Sequence, residues 1–225
     1  MVSLPAWLDT LAAALPQITV EQLTRWAPPD EGGRDSAVLV LFGQGPDGPD
    51  VLLIERAHTM RSHAGQPAFP GGAQDPDDDG PVGAALREAA EEVGLDPASV
   101  EVLGTLPGLW LPPSGFVVHP VVACWREPHA VHAVDAAEVA AVVRVPIADL
   151  VDPANRLRVT HPSGWVGPAF AVQDLLVWGF TAALLDRLLH LGGWELPWDT
   201  SRVQQLDEQT VALAMRTSAT QEPSP

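Results

Sequence analysis

The chain has 225 residues, 46% of them hydrophobic, and its 29 acidic and 12 basic residues give a net charge of −17. This length and hydrophobic content predict one buried core, and so a single globular domain with appendages. The negative charge excludes a nucleic acid polymer as partner, because displacing counterions needs a basic surface, whereas a small phosphate ester that arrives with a cation remains compatible.

Two regions with simple patterns come before the central part of the chain. A short amphipathic helix is predicted over 5–15, followed by a polar, proline-bearing connection over 27–34. The amino terminus has no basic segment ahead of an apolar core, and no run reaches the roughly 18 apolar residues of a membrane span. We therefore expect a cytoplasmic protein with no membrane partner.

The central part alternates between strand and helix patterns. Apolar runs on both sides of a glycine-rich turn predict a strand, a turn and a strand. The next segment is predicted to be a helix over 81–93, opened by Pro81 and closed by Gly94. The remaining predictions are strands at 100–106, 116–126 and 139–145 and an apolar helix at 177–191. This alternation predicts an α/β sandwich with a mixed sheet.

The last part of the chain begins with a short tryptophan-bearing segment at 194–198. We predict a weak helix over 201–215 and a disordered end. Trp194 and Trp198 are expected to pack on the domain or on a second subunit, so a homodimer is compatible with the sequence. The division expected is a helix and connection at 1–34, the main domain at 35–192, and a tail at 193–225. Cys124, the only cysteine, lies in an apolar run and is expected to be buried.

The helix predicted over 81–93 carries three glutamates on one side. Glu88, Glu91 and Glu92 fall within roughly 60° to 100° of arc, and Glu88 and Glu92 are stacked one turn apart. Like charges at this spacing are unfavourable, and more so where water is partly excluded. A divalent cation would reverse that effect. The alternative is a solvated acidic face, on which Arg87 pairs with Glu91 one turn later. Because no Lys or Arg lies three or four positions from Glu88 or Glu92, these two are the better metal candidates.

A second feature lies upstream of this helix. Arg56 and Arg61 stand in a stretch that is poor in acidic residues, and guanidinium groups are natural bidentate partners of phosphate oxygens. The neighbouring His58 and His63 are more simply interpreted as polar loop residues. The pair Gly71-Gly72 suits a backbone that turns sharply or approaches a ligand closely.

The two features together resemble a known family. Gly72, an acidic stretch that ends in Asp79, and the segment 87–95 (REAAEEVGL) are similar to the Nudix box, a loop-helix-loop that binds magnesium and hydrolyses nucleoside diphosphates linked to another group. Asp79 stands where the family usually has glutamate, and in the family that glutamate supports the arginine that stands here as Arg87. The interval from Gly72 to Arg87 is one residue longer than in the commonest form, which is itself a feature of the coenzyme A branch.

The upstream segment makes the resemblance more specific. It is similar in residues and spacing to the pattern that precedes the box in coenzyme A pyrophosphatases. The matching residues are Leu52-Leu53, Arg56-Ala57, Arg61, Gly65 and Phe69-Pro70-Gly71-Gly72.

The resemblance implies a Nudix-type α/β/α sandwich with a loop-helix-loop catalytic motif. It also implies an enzyme that uses Mg²⁺ or Mn²⁺ to split coenzyme A, or a derivative, into phosphopantetheine and adenosine 3′,5′-bisphosphate. The roles expected are metal binding by Glu88, Glu91 and Glu92, catalysis by Arg87, Glu91 and Glu92, and substrate binding by Arg56, Arg61, Gly71 and Gly72.

Several alternatives stay open at this stage. The general base is Glu91, Glu92 or a glutamate outside the box such as Glu138. Trp110 either stacks on the adenine ring or packs beneath a proline-rich loop. The substrate is otherwise ADP-ribose, a dinucleotide or an oxidised nucleotide, and the departure at Asp79 also allows a binding module without turnover.

Overall fold

The computed structural model describes residues 4–23, 32–58, 64–112 and 114–215. Its α-helices are α1 (Asp9–Ala14), α2 (Val20–Leu23), α3 (Gly80–Val93), α4 (Ile147–Val151), α5 (Gly179–Leu191) and α6 (Glu208–Met215). Short 3-10 turns lie at Ala6–Leu8, Leu15–Gln17 and Pro97–Ser99.

The strands fall into two sheets. The first contains β1 (Arg34–Gly45), β2 (Gly48–Arg56), β3 (Pro67–Ala68), β4 (Gly71–Ala73), β5 (Val100–Thr105), β6 (Leu109–Leu111), β7 (Phe116–Trp125) and β8 (Val139–Pro146). The second contains β9 (Arg156–Thr160), β10 (Val166–Val172), β11 (Leu175–Val177) and β12 (Val203–Gln205).

The first sheet is mixed, as predicted. Its order is β3-β2-β1-β7-β5, with β4 beside β1, β6 beside β7 and β8 beside β2. Strands β1 and β7 run parallel, so that Ala37 lies opposite His119. The other pairings in this sheet are antiparallel. In particular, β4 is antiparallel to β1, with Gly72 opposite Ala37, which brings the glycine pair to the middle of the sheet.

Helices cover both faces of this sheet. Side chains alternate between faces along a strand, so Leu39 and Leu41 of β1 are buried beneath α3, while Val40 and Phe42 belong to the core shared with α1 and α5. The side of α3 that meets the sheet is built from small residues, including Ala84, Ala85 and Ala89. The result is the three-layer α/β/α sandwich expected from the sequence.

Most predicted elements are confirmed within a few residues. The predicted helix at 5–15 is present as α1 with a 3-10 turn at each end, and the helix at 81–93 is α3. The strands expected on both sides of the turn at 46–47 are β1 and β2, and those at 100–106, 116–126 and 139–145 are β5, β7 and β8.

Two predictions near the carboxyl end are wrong in part. The apolar helix begins at Gly179, because the residues just before it form β11, and the weak helix expected over 201–215 is α6 preceded by β12. The residues just before the helix are held in β11 by antiparallel pairing with the neighbouring β10. Strand β12 is held by pairing with β9, which is distant in sequence. In both places pairing within the second sheet overrides local preference.

The two tryptophans of the tail pack on the chain itself. The Trp194 ring centroid lies 5.6 Å from that of Phe42 and 6.1 Å from that of Trp7. The guanidinium of Arg156 lies over the Trp198 ring, with its Cζ 4.6 Å from the ring centroid. Cys124 is buried, as expected.

Parts of the predicted connection and tail lie outside the described residues, namely 27–31 and 216–225. The division of the chain at 34/35 and 192/193 stays a prediction. Across the residues that the structure describes, every helix is too short or too polar to cross a membrane.

Candidate active site

Helix α3 positions the acidic residues. Its carboxyl end is fixed by Gly94, whose φ of 69° is left-handed and whose N–H donates to the carbonyl of Ala90. Such a C-terminal cap favours glycine, which adopts positive φ without steric cost. The alanines on the buried side of α3 let the helix approach the sheet closely. The carboxylates of Glu88 and Glu92 thereby reach the backbone of β4.

Glu92 is the most buried carboxylate of this group, with only 6% of its side chain exposed. Its Oε2 accepts a hydrogen bond from the N–H of Gly71 at 2.9 Å. Its Oε1 lies 3.9 Å from Nη1 of Arg56. Burial raises the pKa of Glu92 to about 7, against the opposing effects of the Gly71 N–H and Arg56, and the negative charges of Glu88 and Glu138 raise it further.

Glu88 lies one turn earlier, against the next glycine. A Cβ at residue 72 would be 2.3 Å from Oε1 of Glu88, so glycine is needed at this position for the carboxylate to lie there. Burial raises the pKa of Glu88 although Arg87 lies beside it, and Glu91 and Asp75 act in the same direction as burial. The two better metal candidates from the sequence, Glu88 and Glu92, therefore both face the Gly71-Gly72 pair of β4.

Arg87 ties the helix to the loop that precedes it. Its Nε and Nη2 donate to the two carboxylate oxygens of Asp78 at 2.9 and 3.0 Å, and Nη2 also donates to the carbonyl of Ala73. A bidentate pair of this kind restricts the guanidinium in both position and plane. The contact with Asp78 holds the pKa of that carboxyl below its usual range.

The residue that supports Arg87 is thus Asp78, whereas the sequence pattern assigned this part to Asp79. Asp79 instead lies at the amino end of α3, and its side chain makes no capping hydrogen bond there. The added residue between Gly72 and Arg87 explains the difference, because it shifts the loop by one position relative to the helix. The substitution of aspartate for glutamate at 79 therefore does not deprive Arg87 of a partner.

Two arginines contact these glutamates without lying three or four positions from them on the helix. Nη1 of Arg87 lies 3.1 Å from Glu88, and Arg56 approaches Glu92. The first contact joins adjacent residues and the second comes from β2, and spacing along a helix reveals neither. Glu91 is 61% exposed and pairs with Arg87 at 3.1 Å, the surface pair considered as the alternative from the sequence. Its catalytic and metal-binding roles stay predictions.

The structure brings together Glu88, Glu92, Arg56, Gly71 and Gly72 from the set predicted from sequence. Arg61 and His63 lie outside the described residues. His58 is exposed and lies 3.2 Å from Glu55, in keeping with a polar loop residue. Glu138 is exposed but close enough to influence Glu92. Sequence reasoning missed Asp78, and the long interval before Arg87 was the one signal that could have revealed it.

The donor atoms at this site suit a hard divalent cation. No group of three or more carboxylate, imidazole or thiol side chains is arranged to hold a metal ion in the described ranges. Mg²⁺ does not require one, because it keeps several water ligands and binds through one or two carboxylates together with substrate phosphates. Glu88 and Glu92 supply two carboxylates, and their raised pKa values indicate that a nearby cation would stabilise their charged forms. The residues therefore fit a hard divalent cation such as Mg²⁺ or Mn²⁺.

Comparison with known proteins gives a consistent result. A family model described as the NUDIX domain matches residues 33–163. The chain is 41% identical over 165 residues to a Cronobacter sakazakii protein described as uncharacterized Nudix hydrolase NudL, covering 69% of this chain and 81% of that protein. A protein of the same description from Salmonella heidelberg is 38% identical over 194 residues, covering 83% of this chain and 93% of the relative.

A solved structure has the same fold. The crystal structure of RenU, a Nudix hydrolase from M. smegmatis, superposes with a TM-score of 0.53 at 24% identity, covering 75% of this chain and 91% of that one. The family model spans more than half of the chain, and the Salmonella relative is matched over nearly its whole length. The chain therefore belongs to the Nudix hydrolase family.

Proposed function

We propose that this Nudix hydrolase splits the diphosphate bond of coenzyme A or one of its derivatives, giving phosphopantetheine and adenosine 3′,5′-bisphosphate. The observation that carries the proposal is the placement of Glu88 and Glu92 against the Gly71-Gly72 backbone with Arg56 at its edge. This arrangement offers two carboxylates to a divalent cation and one guanidinium to a phosphate within a single site.

The choice of coenzyme A rests on the segment upstream of the helix. Arg56, Gly65 and 69–72 follow the pattern of the coenzyme A branch, and Arg61 completes it in sequence. The descriptions of the matched relatives name the family and no substrate. The contact of Arg56 with Glu92 supports a role in phosphate binding, since a guanidinium next to the carboxylates can also hold the oxygens of a diphosphate.

The roles proposed for the side chains follow from their contacts. Glu88 and Glu92 would hold the divalent ion, which neutralises the diphosphate and lowers the pKa of an attacking water. Arg87, held by Asp78, fixes the position of α3 relative to the loop that precedes it. A carboxylate must accept the proton of the water, and Glu92, Glu91 and Glu138 are the candidates. Arg56 would compensate the negative charge that develops on the phosphate oxygens.

The direct test is hydrolysis by the purified protein with identification of the products. Coenzyme A with Mg²⁺ or Mn²⁺ should give phosphopantetheine and adenosine 3′,5′-bisphosphate, and chelation should stop the reaction. Parallel incubations with ADP-ribose, a dinucleotide and an oxidised nucleotide test the other substrates that the family allows. A folded protein that turns over one of these and leaves coenzyme A intact would refute the proposed substrate, and one that turns over none would indicate a binding module.

The support of Arg87 can be tested separately. We expect Asp78→Ala to lower kcat/KM by roughly 10- to 100-fold, the range seen when a residue that orients a metal site is removed. Asp79→Ala should change kcat/KM by less than about threefold, because its side chain does not contact Arg87 in the structure. Steady-state kinetics on the two variants measure these changes in kcat/KM. Circular dichroism confirms that both variants are folded. No loss in Asp78→Ala, or a loss at 79 as large as that at 78, would contradict the specific support of Arg87 by Asp78.

The fit between Gly72 and Glu88 gives a steric prediction. Gly72→Ala places a methyl group 2.3 Å from the present position of Glu88 Oε1, so the carboxylate must move away from the loop. We expect the midpoint of Mn²⁺ binding, followed by the paramagnetic signal of free Mn²⁺, to rise by at least about 10-fold. Gly104→Ala is a control for glycine replacement away from the site, since the added group on β5 would make only an ordinary contact with Leu15 at 3.6 Å. Unchanged Mn²⁺ affinity in Gly72→Ala would argue against Glu88 as a ligand.

A further inference from the structure

A group of side chains beside the candidate active site has no part in the proposed chemistry so far. Trp110 of β6 pairs in register with Val117 of β7, and Val117 pairs with Asp35 of β1. His119 lies two residues after Val117 and pairs with Ala37. Residues that pair directly across strands project to the same face of a sheet, and so do residues two apart on one strand. Asp35, Trp110, Val117 and His119 therefore share one face, and we call them the aromatic platform.

The platform lies on the same face as the two carboxylates. Ala37 and Val121, which continue these two strands, are buried beneath α3, and so this is the face that α3 covers. Ala37 pairs in turn with Gly72, against which Glu88 lies. His119 and Gly72 are therefore separated by two strand spacings, about 10 Å. Among the described residues, the buried cluster beneath α3 ends at Ala37 and Val121, and the platform extends beyond that end.

His119 is held in a defined position. Its Nε2 lies 3.3 Å from Oδ1 of Asp35, a contact between residues 84 positions apart in sequence. The side chain of His119 is 25% exposed and that of Asp35 is 65% exposed. Both can therefore reach a ligand. A carboxylate has about four lone-pair sites, so Asp35 can accept a further hydrogen bond while it orients the imidazole.

Two glycines make room for the aromatic rings. A Cβ at Gly33 would lie 3.1 Å from Trp110 and 3.0 Å from Val117, and a Cβ at Gly108 would lie 2.9 Å from the His119 ring. Larger residues at 33 or 108 would displace the indole or the imidazole. The rings are thus fixed by their neighbours, and a fixed aromatic face binds a planar ligand with little loss of side-chain entropy.

From this arrangement we infer that the aromatic platform binds the nucleobase of the substrate, and that it selects a base with an exocyclic amino group, such as adenine. Trp110 and His119 offer aromatic faces for stacking, and Asp35 offers an acceptor for the amino group. The distance to Gly72 leaves room for the ribose that joins the base to the diphosphate. This inference deepens the proposed function and depends on it only in taking the substrate to be a nucleotide derivative.

The test uses binding rather than turnover. AMP and purine riboside 5′-monophosphate differ in the amino group alone, and both can be titrated into the metal-free protein while the NMR signals of the Trp110 indole N–H and the His119 ring are followed. Spectra of Trp110→Leu and His119→Gln assign these signals. We expect AMP to shift both signals and to bind roughly 10-fold or more tightly than the purine analogue, the effect of losing a hydrogen bond to a charged group.

Two variants complete the test. Asp35→Ala changes an exposed side chain and should bring the two nucleotides to within about threefold of each other. Trp110→Leu should raise the KM of whichever nucleotide substrate is hydrolysed by about 10-fold with a smaller effect on kcat, because one stacking face is lost. Trp165→Leu is the matched control, since Trp165 packs against Trp178 in the hydrophobic cluster of the second sheet and its replacement should leave KM unchanged.

The outcomes separate this inference from the proposed substrate. If AMP shifts neither signal, or if Asp35→Ala leaves the preference for AMP intact, the inference is overturned even when coenzyme A is hydrolysed. If AMP shifts both signals and coenzyme A is not hydrolysed, the platform is supported and the proposed substrate is refuted.

Discussion

Replacing Glu92 by glutamine should lower kcat at saturating Mg²⁺ by at least about 100-fold. The carboxylate is proposed either to hold the metal ion or to accept a proton, and loss of a group with either role costs roughly two or more orders of magnitude. Glutamine keeps the size of the side chain and an oxygen that can accept from the N–H of Gly71, so the loop should stay in place. The variant removes the charge while preserving the shape.

The same substitution should make the metal-free protein more stable at pH 8. Burial raises the pKa of Glu92 to about 7 in the folded state, from 4.5 in the unfolded chain. Between pH 4.5 and about 7 the folded state binds more protons than the unfolded state, so the free energy of unfolding falls as the pH rises. Above about pH 7 it stays at this lowered value. A shift of this size corresponds to roughly 3 kcal/mol. We expect Glu92→Gln to recover about 1–3 kcal/mol at pH 8, because Arg56 also loses a neighbouring negative charge.

Urea unfolding in EDTA at pH 5, 6.5 and 8 measures this effect, and the variant should show the flatter profile. Mg²⁺ at 100 times its dissociation constant should then stabilise the wild type by about 2.7 kcal/mol and the variant by much less. Glu101→Gln is the control, because that carboxylate is 46% exposed on β5 and contacts Arg126. A variant that keeps its activity, or that is less stable than the wild type at pH 8, would contradict the proposed role of Glu92.

The helix that carries Glu92 could be predicted within a residue, and the reason is local. Pro81 and Gly94 mark its ends, and its alanines and acids are separated at helical spacing, so each signal lies within one continuous segment. The burial of Glu92 could not be predicted in the same manner. It depends on the approach of β4 and β2, which places Gly71 and Arg56 beside the carboxylate.

The second sheet was missed for a related reason. Strands β9 to β11 are short and contain Pro168 and Gly167, which weaken a strand pattern, and β12 has three exposed residues with no apolar alternation. These strands pair with one another, and β9 and β12 are separated by about forty residues of chain. The contact between Asp35 and His119 is more distant still, and no pattern along the sequence connects them.

The buried arginine of that second sheet provides the largest expected effect on stability. The side chain of Arg156 is fully buried between the rings of Phe170 and Trp198, 4.9 and 4.6 Å from their centres. Its Nη2 donates to Asp186 of α5, and Glu195 lies 3.7 Å from the same nitrogen. Among the described residues, its Nε and Nη1 are buried and have no hydrogen-bond partner. The charge of Arg156 therefore depends on these two carboxylates.

We expect Asp186→Ala to lower the free energy of unfolding by about 2–4 kcal/mol. Removing one partner of a buried ion pair leaves a charge uncompensated, at a usual cost of 3–5 kcal/mol, and Glu195 should offset part of it. For a chain of this size the melting temperature should fall by roughly 4–16 °C. Glu127→Ala, at an exposed acid in the bend that follows β7, should change the free energy by less than about 0.5 kcal/mol.

The double variant Arg156→Met, Asp186→Leu distinguishes an uncompensated charge from lost packing. If the charge is the cause, replacing both partners by apolar residues should recover most of the stability lost in Asp186→Ala, because nothing charged then remains buried between Phe170 and Trp198. If the double variant is as unstable as the single one, an uncompensated charge is not the cause of the loss. A loss below about 1 kcal/mol in Asp186→Ala would show that Glu195 alone compensates Arg156, so that the tail, rather than α5, keeps this charge stable in the core.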